Sequence, residues 1–483
     1  MTLICRAFLT LIVLTAFRPV SVIAQDVEEK LQVEVKTNYT KYEYSIPMRD
    51  GKRLFTAVYV PKDVGRKHPI LLQRTPYSIR PYGVDHYPEG LQPFALFGKG
   101  GYIFVYQDVR GRWMSDGEFV QMRPHNPNKG PLDIDESTDA YDTIDWLLKH
   151  IQGHNGRVGL WGVSYPGFYA ATGMIDAHSA LKAVSPQAPQ ADWFMGDDWR
   201  HNGALFALNM LNFMAVIDRP HPAPTMNPAP PAFVYDTPDG YDFCLKLGPL
   251  SGIGRRYLKG ESRFWDEAIQ HDTYDDFWRA RNLRPHLKNI KPSVMTVGGW
   301  FDAENLFGAL EVYKNVKKNS PKTNNMLVMG PWFHGGWIRD DGSKLGDMAF
   351  NMKSAEFYRE QIELPFFEYH LKGKGEWKPP EAWVFETGAN CWRRHDAWPP
   401  RNATPRRLYF HAGGKLRESP PPAAPRAEGF DEYMSDPSRP VPHENRVANH
   451  KSVEYMNADQ RFAARRPDVL VFTTDVLPKD LTV

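Results

Sequence analysis

A serine in a tight, glycine-flanked turn is the residue of this sequence best suited to nucleophilic chemistry. The stretch GLWGVSYPG at 159–167 places Ser164 between Gly162 and Gly167, after a short apolar run and before residues that can continue as a helix. A Gly-x-Ser-x-x-Gly pattern between a strand and a helix is a relative of the nucleophile elbow, in which small neighbours allow a sharp turn that exposes the serine hydroxyl. Ser164 is therefore the candidate nucleophile. The alternative is a glycine-rich turn with a solvated serine.

Two later strand-like runs end in the residue types that could activate this serine. The run 292–302 ends in Asp302, and the run 325–334 ends in His334. A histidine can take the serine proton as a general base, and a carboxylate can hold that histidine in the required tautomer. The chain order Ser164, Asp302, His334 therefore predicts a catalytic triad. Taken separately, Asp302 could cap the helix that follows it, and His334 could be an ordinary loop histidine.

Five sequence blocks resemble a known family of enzymes. The blocks are RTPY at 74–77, QDVRGR at 107–112, WGVSYPG at 161–167, GWFD at 299–302 and GPWFH at 330–334. They resemble the cocaine esterase and X-prolyl dipeptidyl peptidase (CocE/NonD, S15-like) family of serine hydrolases. Within it, MGDDW at 195–199 and DAEN at 302–305 make the sequence most similar to the α-amino acid ester hydrolases, which act on β-lactam antibiotics. The resemblance covers the chain from about residue 38 to the end.

Acyl transfer also needs hydrogen-bond donors for the oxyanion of the tetrahedral intermediate. The position directly after the nucleophile predicts the backbone N–H of Tyr165 as the first donor. The resemblance implies the hydroxyl of Tyr77, just past a predicted strand, as the second donor. The alternative for Tyr77 is a tyrosine packed in its loop.

The resemblance further implies a group of carboxylates that binds the α-ammonium group of the substrate. Block matching supplies Asp198 and Glu304, but Asn305 stands where a third acid is expected. Carboxylates gain charge-assisted hydrogen bonds from an ammonium group that a neutral acyl chain cannot provide. Asn305 keeps an acceptor oxygen but loses a negative charge, so we expect weaker selection for the α-amino group. Asp198 and Glu304 could instead be acids of a cap and of a helix start.

The segments around these residues predict an α/β protein. Strands and helices alternate as in a largely parallel sheet, and the resemblance implies an α/β-hydrolase fold. We expect the hydrolase domain in two parts, 25–188 and 286–375, separated by a helical cap at 189–285. The alternative for 189–285 is a second helical domain with its own core. Residues 376–483 predict a β-rich domain, for which the resemblance implies a jelly roll that is incomplete in this chain.

The first 24 residues predict a cleaved secretory signal peptide. An apolar run at 7–17, too short for a permanent bilayer anchor, is followed by small residues before Gln25. We therefore expect a periplasmic or secreted enzyme, with an uncleaved membrane anchor as the alternative. After cleavage Cys244 and Cys391 remain, and export would permit one disulfide between them, although nothing in the sequence shows that they meet.

The composition narrows the range of partners. The chain of 483 residues is 42% hydrophobic and carries a net charge of +2, which gives no electrostatic argument for binding nucleic acid or an anionic membrane. No metal-binding spacing such as His-Glu-x-x-His occurs, and we expect no metal and no cofactor. The expected partner is a small ester or amide substrate, without stable membrane insertion. A homo-oligomer is compatible with the sequence.

These features predict a serine hydrolase or acyltransferase that acts through an acyl-enzyme. Its expected substrates are α-amino acid esters, and amides such as the side chains of β-lactam antibiotics. One alternative is a general carboxylesterase or glutaryl-type acylase of the same family, and X-prolyl dipeptidyl-peptidase activity is another. From a different class, the chain could be a non-catalytic secreted binding protein on a hydrolase scaffold.

Overall fold

The structure is a computed structural model that describes residues 34–227, 231, 233–422 and 430–483. The predicted signal peptide at 1–24 lies outside the described residues. Within these ranges, no helix has the length and apolar character needed to cross a membrane.

A ten-stranded sheet forms the centre of the fold. Its strands in chain order are β1 (Tyr39–Pro47), β2 (Arg53–Pro61), β3 (His68–Thr75), β4 (Ile103–Asp108), β5 (His154–Val163), β6 (Leu181–Gln187), β7 (Ser293–Gly299), β8 (Asn325–Gly330), β9 (Ala382–Glu386) and β10 (Cys391–His395). Their order across the sheet is β1-β2-β4-β3-β5-β6-β7-β8-β9-β10. The β1–β2, β2–β4 and β9–β10 pairs are antiparallel, and every pair from β4 to β9 is parallel. The predicted α/β architecture with a largely parallel sheet is confirmed.

Helices flank this sheet. They are α1 (Ala95–Gly100), α2 (Glu136–His150), α3 (Tyr165–Gly173), α4 (Ala207–Ile217), α5 (Gly240–Lys246), α6 (Ile253–Tyr257), α7 (Arg263–Gln270), α8 (Asp276–Arg281), α9 (Leu306–Asn319) and α10 (Gly336–Arg339). Residues 354–372 form a further helical stretch that alternates α-helical and π-helical turns. Short 3-10 helices occur at Leu250–Gly252, Arg284–His286, Tyr455–Asn457 and Ala463–Arg465.

Alternate residues of the parallel strands enter two apolar cores. Along β3, Ile70 and Leu72 pack in one cluster, whereas Leu71 packs in the other. The first cluster also holds Leu147 of α2, and the second holds Phe367 of the 354–372 stretch. Because successive side chains of a strand point to opposite faces, helices on both sides can bury a nearly continuous apolar run. The sheet is therefore buried on both faces.

The first two strands, β1 and β2, form a hairpin around the turn residues Asp50 and Gly51 and are paired along their whole length. Arg110, from the second of the five sequence blocks, joins this turn to α2. Its guanidinium lies 2.6 Å from Asp50 and 2.7 Å from Asp139. Charge-assisted hydrogen bonds to both carboxylates satisfy the buried arginine. This residue of the block therefore has a structural role, because it connects the hairpin turn to α2.

Residues 189–285, between β6 and β7, contain α4 to α8 and a short hairpin of Arg200–His201 with Ala204–Leu205. The segment buries the indole rings of Trp193, Trp265 and Trp278. These rings belong to the same apolar cluster as Ile70 and Leu72 of the sheet. The segment thus packs on the sheet through one continuous core.

The strands after residue 376 differ from the prediction of a separate β domain. The apolar run of β9 pairs in parallel with β8, with Leu327 opposite Ala382, and β10 then folds back on β9. Both strands therefore extend the central sheet, because their backbone groups pair with an edge that would otherwise be exposed. A separate two-stranded hairpin follows, formed by Tyr409–His411 and Lys415–Arg417. Thr473 forms an isolated parallel β-bridge with Lys415 of this hairpin.

Candidate active site

The predicted nucleophile elbow lies where β5 ends and α3 begins. Ser164 has φ 68° and ψ −128°, and a non-glycine residue adopts such a conformation at a cost of about 1–3 kcal/mol. Its N–H donates to the carbonyl of Gln187 at 2.9 Å, and its carbonyl accepts from the N–H of Phe168 at 3.0 Å. A Cβ at Gly162 would lie 2.4 Å from the carbonyl atoms of Pro166. Neighbouring backbone atoms therefore enforce the strained turn, and the glycine is required by it.

Asp302 and His334 stand in adjacent loops at the carboxyl ends of β7 and β8. These strands are parallel neighbours, paired from Asn325 to Gly330, so both loops leave the sheet at one edge. The loops are joined directly, because the N–H of Trp300 donates to the carbonyl of Gly330 at 2.8 Å. The predicted acid and base are thereby brought together.

Asp302 is a buried carboxylate that is hydrogen-bonded to Nδ1 of His334. Nδ1 of His334 lies 2.9 Å from Oδ2 and 3.1 Å from Oδ1 of Asp302. The backbone N–H groups of Glu304 and Asn305 donate to Oδ1 at 2.8 Å and 2.9 Å. Burial raises the pKa of Asp302, but the charge of His334 and these hydrogen bonds outweigh it and hold the pKa below its ordinary value. Asp302 therefore stays ionised and orients the ring.

The other ring nitrogen of His334 faces a second carboxylate. Nε2 of His334 lies 3.2 Å from Oε2 of Glu304. Burial lowers the pKa of His334, but the carboxylates of Asp302 and Glu304 outweigh it and raise the pKa to about 9. In the part of the chain that the structure describes, no hydrogen bond joins His334 to Ser164. The base is therefore oriented by its acid but turned toward Glu304 instead of the nucleophile.

The hydroxyl of Tyr77 lies beside the nucleophile. The Ser164 hydroxyl and the Tyr165 backbone N–H are close enough to offset part of the rise that burial causes in the pKa of Tyr77. Burial raises the pKa of Tyr77, and the nearby charge of Asp198 raises it further, so the phenol keeps its O–H as a donor. The residue as a whole is 42% exposed, and its ring packs edge-on against the rings of Tyr165 and Phe213. Both predicted oxyanion donors are thus near Ser164.

The side chain of Tyr165 is hydrogen-bonded to residues 121 and 122. Its hydroxyl accepts from the N–H of Met122 at 2.8 Å and donates to Oε1 of Gln121 at 2.9 Å. Its ring is fully buried. Any role in oxyanion binding therefore belongs to the backbone of Tyr165.

Asp198, from the 189–285 segment, lies beside Glu304. Its N–H donates to the carbonyl of Glu304 at 2.9 Å. Its Oδ2 accepts from Nε1 of Trp193 at 2.7 Å and from Nδ2 of Asn305 at 3.0 Å. Burial and then the charge of Glu304 raise the pKa of Asp198 to about 6. The Nδ2 group of Asn305 thus donates to Asp198, and its Oδ1, the acceptor that we expected it to keep, has no hydrogen-bond partner among the described residues.

Lys451 is a site residue that sequence reasoning missed. Its Nζ lies 2.5 Å from Oε1 of Glu304. Burial raises the pKa of Glu304, but the charges of His334 and Lys451 outweigh it and hold the pKa below its ordinary value. Lys451 lies 147 residues beyond Glu304 and in none of the five blocks, so no spacing or motif indicated it.

Within the described ranges, no group of three or more His, Cys, Asp or Glu side chains is arranged to hold a metal ion. Cys244 and Cys391, the two cysteines in those ranges, are free thiols. The disulfide considered from the sequence is therefore not formed.

A comparison with protein families matches residues 50–336 to the family described as X-Pro dipeptidyl-peptidase (S15 family). The match spans more than half of the chain. It includes Tyr77, Ser164, Asp302 and His334.

Individual relatives extend the similarity beyond this match. The cocaine esterase of Rhodococcus sp. (strain MB1 Bresler) is 27% identical over 455 residues, which are 91% of this chain and 75% of that protein. A solved α-amino acid ester hydrolase is 34% identical with a TM-score of 0.80, and an aminopeptidase from the marine sediment archaeon Thaumarchaeota archaeon is 34% identical with a TM-score of 0.79. Each structural match covers 91% of this chain and 72% of the other. The mostly parallel sheet with flanking helices is thus an α/β-hydrolase fold.

Proposed function

Because the chain belongs to the X-Pro dipeptidyl-peptidase (S15) family and is an ester hydrolase of the CocE/NonD type, we propose that it cleaves α-amino acid esters by two-step acyl transfer. The nucleophile is Ser164. The observation that supports the proposal is that Tyr77, Ser164 and the hydrogen-bonded Asp302–His334 pair follow the carboxyl ends of parallel strands of one sheet. These groups supply the donor, nucleophile and oriented base that ester cleavage by serine requires.

In the first step His334 takes the proton of Ser164 as the serine oxygen attacks the ester carbonyl. Because Nδ1 of His334 is hydrogen-bonded to Asp302, Nε2 is the nitrogen that accepts the proton. The carboxylate of Asp302 also stabilises the imidazolium that forms. For this step Nε2 must leave Glu304 and turn toward Ser164. Catalytic hydrogen bonds often become short only when substrate is bound. An ammonium group that engages Glu304 would replace His334 as its partner and favour this turn.

The hydroxyl of Tyr77 and the N–H of Tyr165 stabilise the negative oxygen that develops on the substrate. Both groups lie at Ser164 before the reaction, so no donor has to be brought in when charge appears. One such preorganised donor typically contributes on the order of 100-fold to 1000-fold in turnover.

The intermediate then collapses to an acyl-enzyme. The ester C–O bond breaks, His334 returns its proton to the departing alcohol, and the acyl group remains on Ser164. Water, deprotonated by His334, attacks the acyl carbonyl and releases the acid. An amine such as a β-lactam nucleus can replace water in this step and give an amide.

Selection for the α-ammonium group is assigned to Asp198 and Glu304. Trp193 and Asn305 both bind Oδ2 of Asp198, and no described residue donates a hydrogen bond to its Oδ1. A substrate ammonium can therefore make a charge-assisted hydrogen bond at Oδ1. The names of two structural neighbours, an α-amino acid ester hydrolase and an aminopeptidase, both describe substrates with an amino group.

A second candidate is an esterase for acyl groups without an amino group. Its support is the charge balance of the site: Asn305 replaces an expected acid, and Lys451 already neutralises Glu304. A less negative pocket favours neutral acyl chains.

Two matched esters separate these candidates. The purified protein is tested for hydrolysis of phenylglycine methyl ester and of phenylacetic acid methyl ester, which differ by the α-amino group. We expect a preference in kcat/KM for the amino ester on the order of 10-fold, because only this ester gains charge-assisted contacts.

The Ser164→Ala variant serves as the control and is expected to hydrolyse neither ester. Equal rates for the two esters would retain the serine esterase and reject the amino acid preference. Turnover by Ser164→Ala at the wild-type rate would reject the mechanism.

A further inference from the structure

The ion pair between Lys451 and Glu304 lies inside the proposed substrate site. Nζ of Lys451 is 2.5 Å from Oε1 of Glu304, and the two side chains are 19% and 30% exposed. Oε2 of the same glutamate is 3.2 Å from Nε2 of His334. Both oxygens of Glu304 therefore already have a cationic or hydrogen-bonding protein partner.

Hydrogen bonds anchor the segment that contains Lys451, both before and after this residue. The carbonyl of Ala448 accepts from the N–H of Gly240 at 3.0 Å, and Nδ2 of Asn449 donates to the carbonyl of Thr237 at 2.7 Å. After Lys451, Nδ2 of Asn457 donates to the carbonyl of Leu345 at 2.9 Å. The first two bonds tie the segment to the 189–285 region, and the third ties it to the loop after α10. The backbone on both sides of Lys451 is thus anchored near Glu304, and the Lys451 side chain is only 19% exposed.

An ε-ammonium and an α-ammonium group are chemically alike. Both are compact cations with three N–H donors, and both bind carboxylates through charge-assisted hydrogen bonds. A cationic substrate that uses Glu304 must displace Lys451 or accept a weaker contact beside it. A neutral ester forms no ion pair with Glu304, so the contact between Lys451 and Glu304 does not affect its binding.

We propose that Lys451 is a specificity-determining residue that competes with the α-ammonium group of the substrate for Glu304. The inference rests on the proposed function, because it names the residue that limits ammonium recognition at the same site. Lys451 reduces the advantage of amino esters over neutral esters without touching the reacting atoms.

The test measures binding in the Ser164→Ala background, so that the esters are not consumed. Dissociation constants of phenylglycine methyl ester and phenylacetic acid methyl ester are determined by titration calorimetry at a pH of about 6, where the α-amino group is protonated. Adding Lys451→Met is expected to tighten binding of the amino ester by about 5-fold to 10-fold, and to change binding of the neutral ester by less than about 2-fold.

Three further variants make this result specific. Lys451→Gln removes the charge but keeps an N–H donor, and we expect its dissociation constants to match those of Lys451→Met. Lys451→Arg keeps the positive charge, and we expect its dissociation constants to match those of the protein with Lys451. Lys246→Met is the matched control, because it removes a lysine from an exposed ion pair with Asp242 on α5. It is expected to change neither constant. Melting temperatures verify that each variant is folded.

Weaker binding of the amino ester in Lys451→Met, or equal changes for both esters, would overturn the inference. That result differs from failure of the proposed function. If the proposed function fails, the enzyme with Ser164 intact shows no preference for the amino ester. If only the role of Lys451 is wrong, this preference remains and the Lys451 variants leave it unchanged.

Discussion

His334 controls the protonation state of the active site. Asp302 holds its Nδ1 and Glu304 faces its Nε2, and together they raise the pKa of His334 to about 9 against the opposing effect of burial. A histidine that is protonated at neutral pH cannot accept the proton of Ser164. The resting site therefore favours the inactive form of the base.

The first prediction concerns the pH dependence of hydrolysis. The profile of kcat/KM reports groups of the free enzyme, so for a neutral ester it should rise with pH and reach half its maximum near the His334 pKa of about 9. Glu304→Gln removes a negative charge that raises this pKa, so its midpoint should move to lower pH, toward the ordinary value of 6.5. Initial rates across the neutral and alkaline range give both midpoints.

Glu356→Gln is the control for this experiment, because Glu356 forms an exposed ion pair with Lys353. Its midpoint should equal that of the wild type. A midpoint for Glu304→Gln that stays in place or moves to higher pH would contradict the electrostatic role of Glu304.

At the scale of secondary structure elements, the site depends on where strands end. β5, β7 and β8 are parallel, and their carboxyl ends lie at the same edge of the sheet. Strand-like runs that end in a serine, an acid and a histidine therefore predicted which residues would gather. The contact of Glu304 with His334 could not be predicted, because side-chain direction within a loop depends on the neighbouring loop and not on spacing along the chain.

The second prediction concerns the turn between β5 and α3. Gly162→Ala would place a Cβ 2.4 Å from the backbone of Pro166, which cannot move away because it lies in the first turn of α3. We expect the free energy of unfolding to fall by about 1–3 kcal/mol, as for other overpacked sites. Urea unfolding monitored by circular dichroism measures the change.

Gly98→Ala is the matched control, because a Cβ at this position in α1 has no neighbour within 4 Å. It should leave the protein at least as stable as the wild type, because alanine is the better helix former. Equal stability of Gly162→Ala and wild type would mean that the turn is not constrained as described.

For the whole molecule, the site joins residues that are distant in the chain. Tyr77, Ser164, Asp302 and His334 lie near strand ends and could be predicted from local patterns and a family resemblance. Lys451 could not, because its position depends on how residues 448–457 cross from the 189–285 region to the loop after α10. The same limit applies to β9 and β10, whose local pattern indicates strands but not the sheet that they join.

The identity of the nucleophile is tested most directly by covalent labelling of the whole protein. A fluorophosphonate probe is incubated with the wild type and with Ser164→Ala, and the labelled peptide is identified by mass spectrometry. We predict a single adduct on Ser164 that appears as ester hydrolysis is lost, and no adduct in the variant. An adduct on another residue, or an unlabelled wild type that still hydrolyses esters, would contradict the central claim that Ser164 is the catalytic nucleophile.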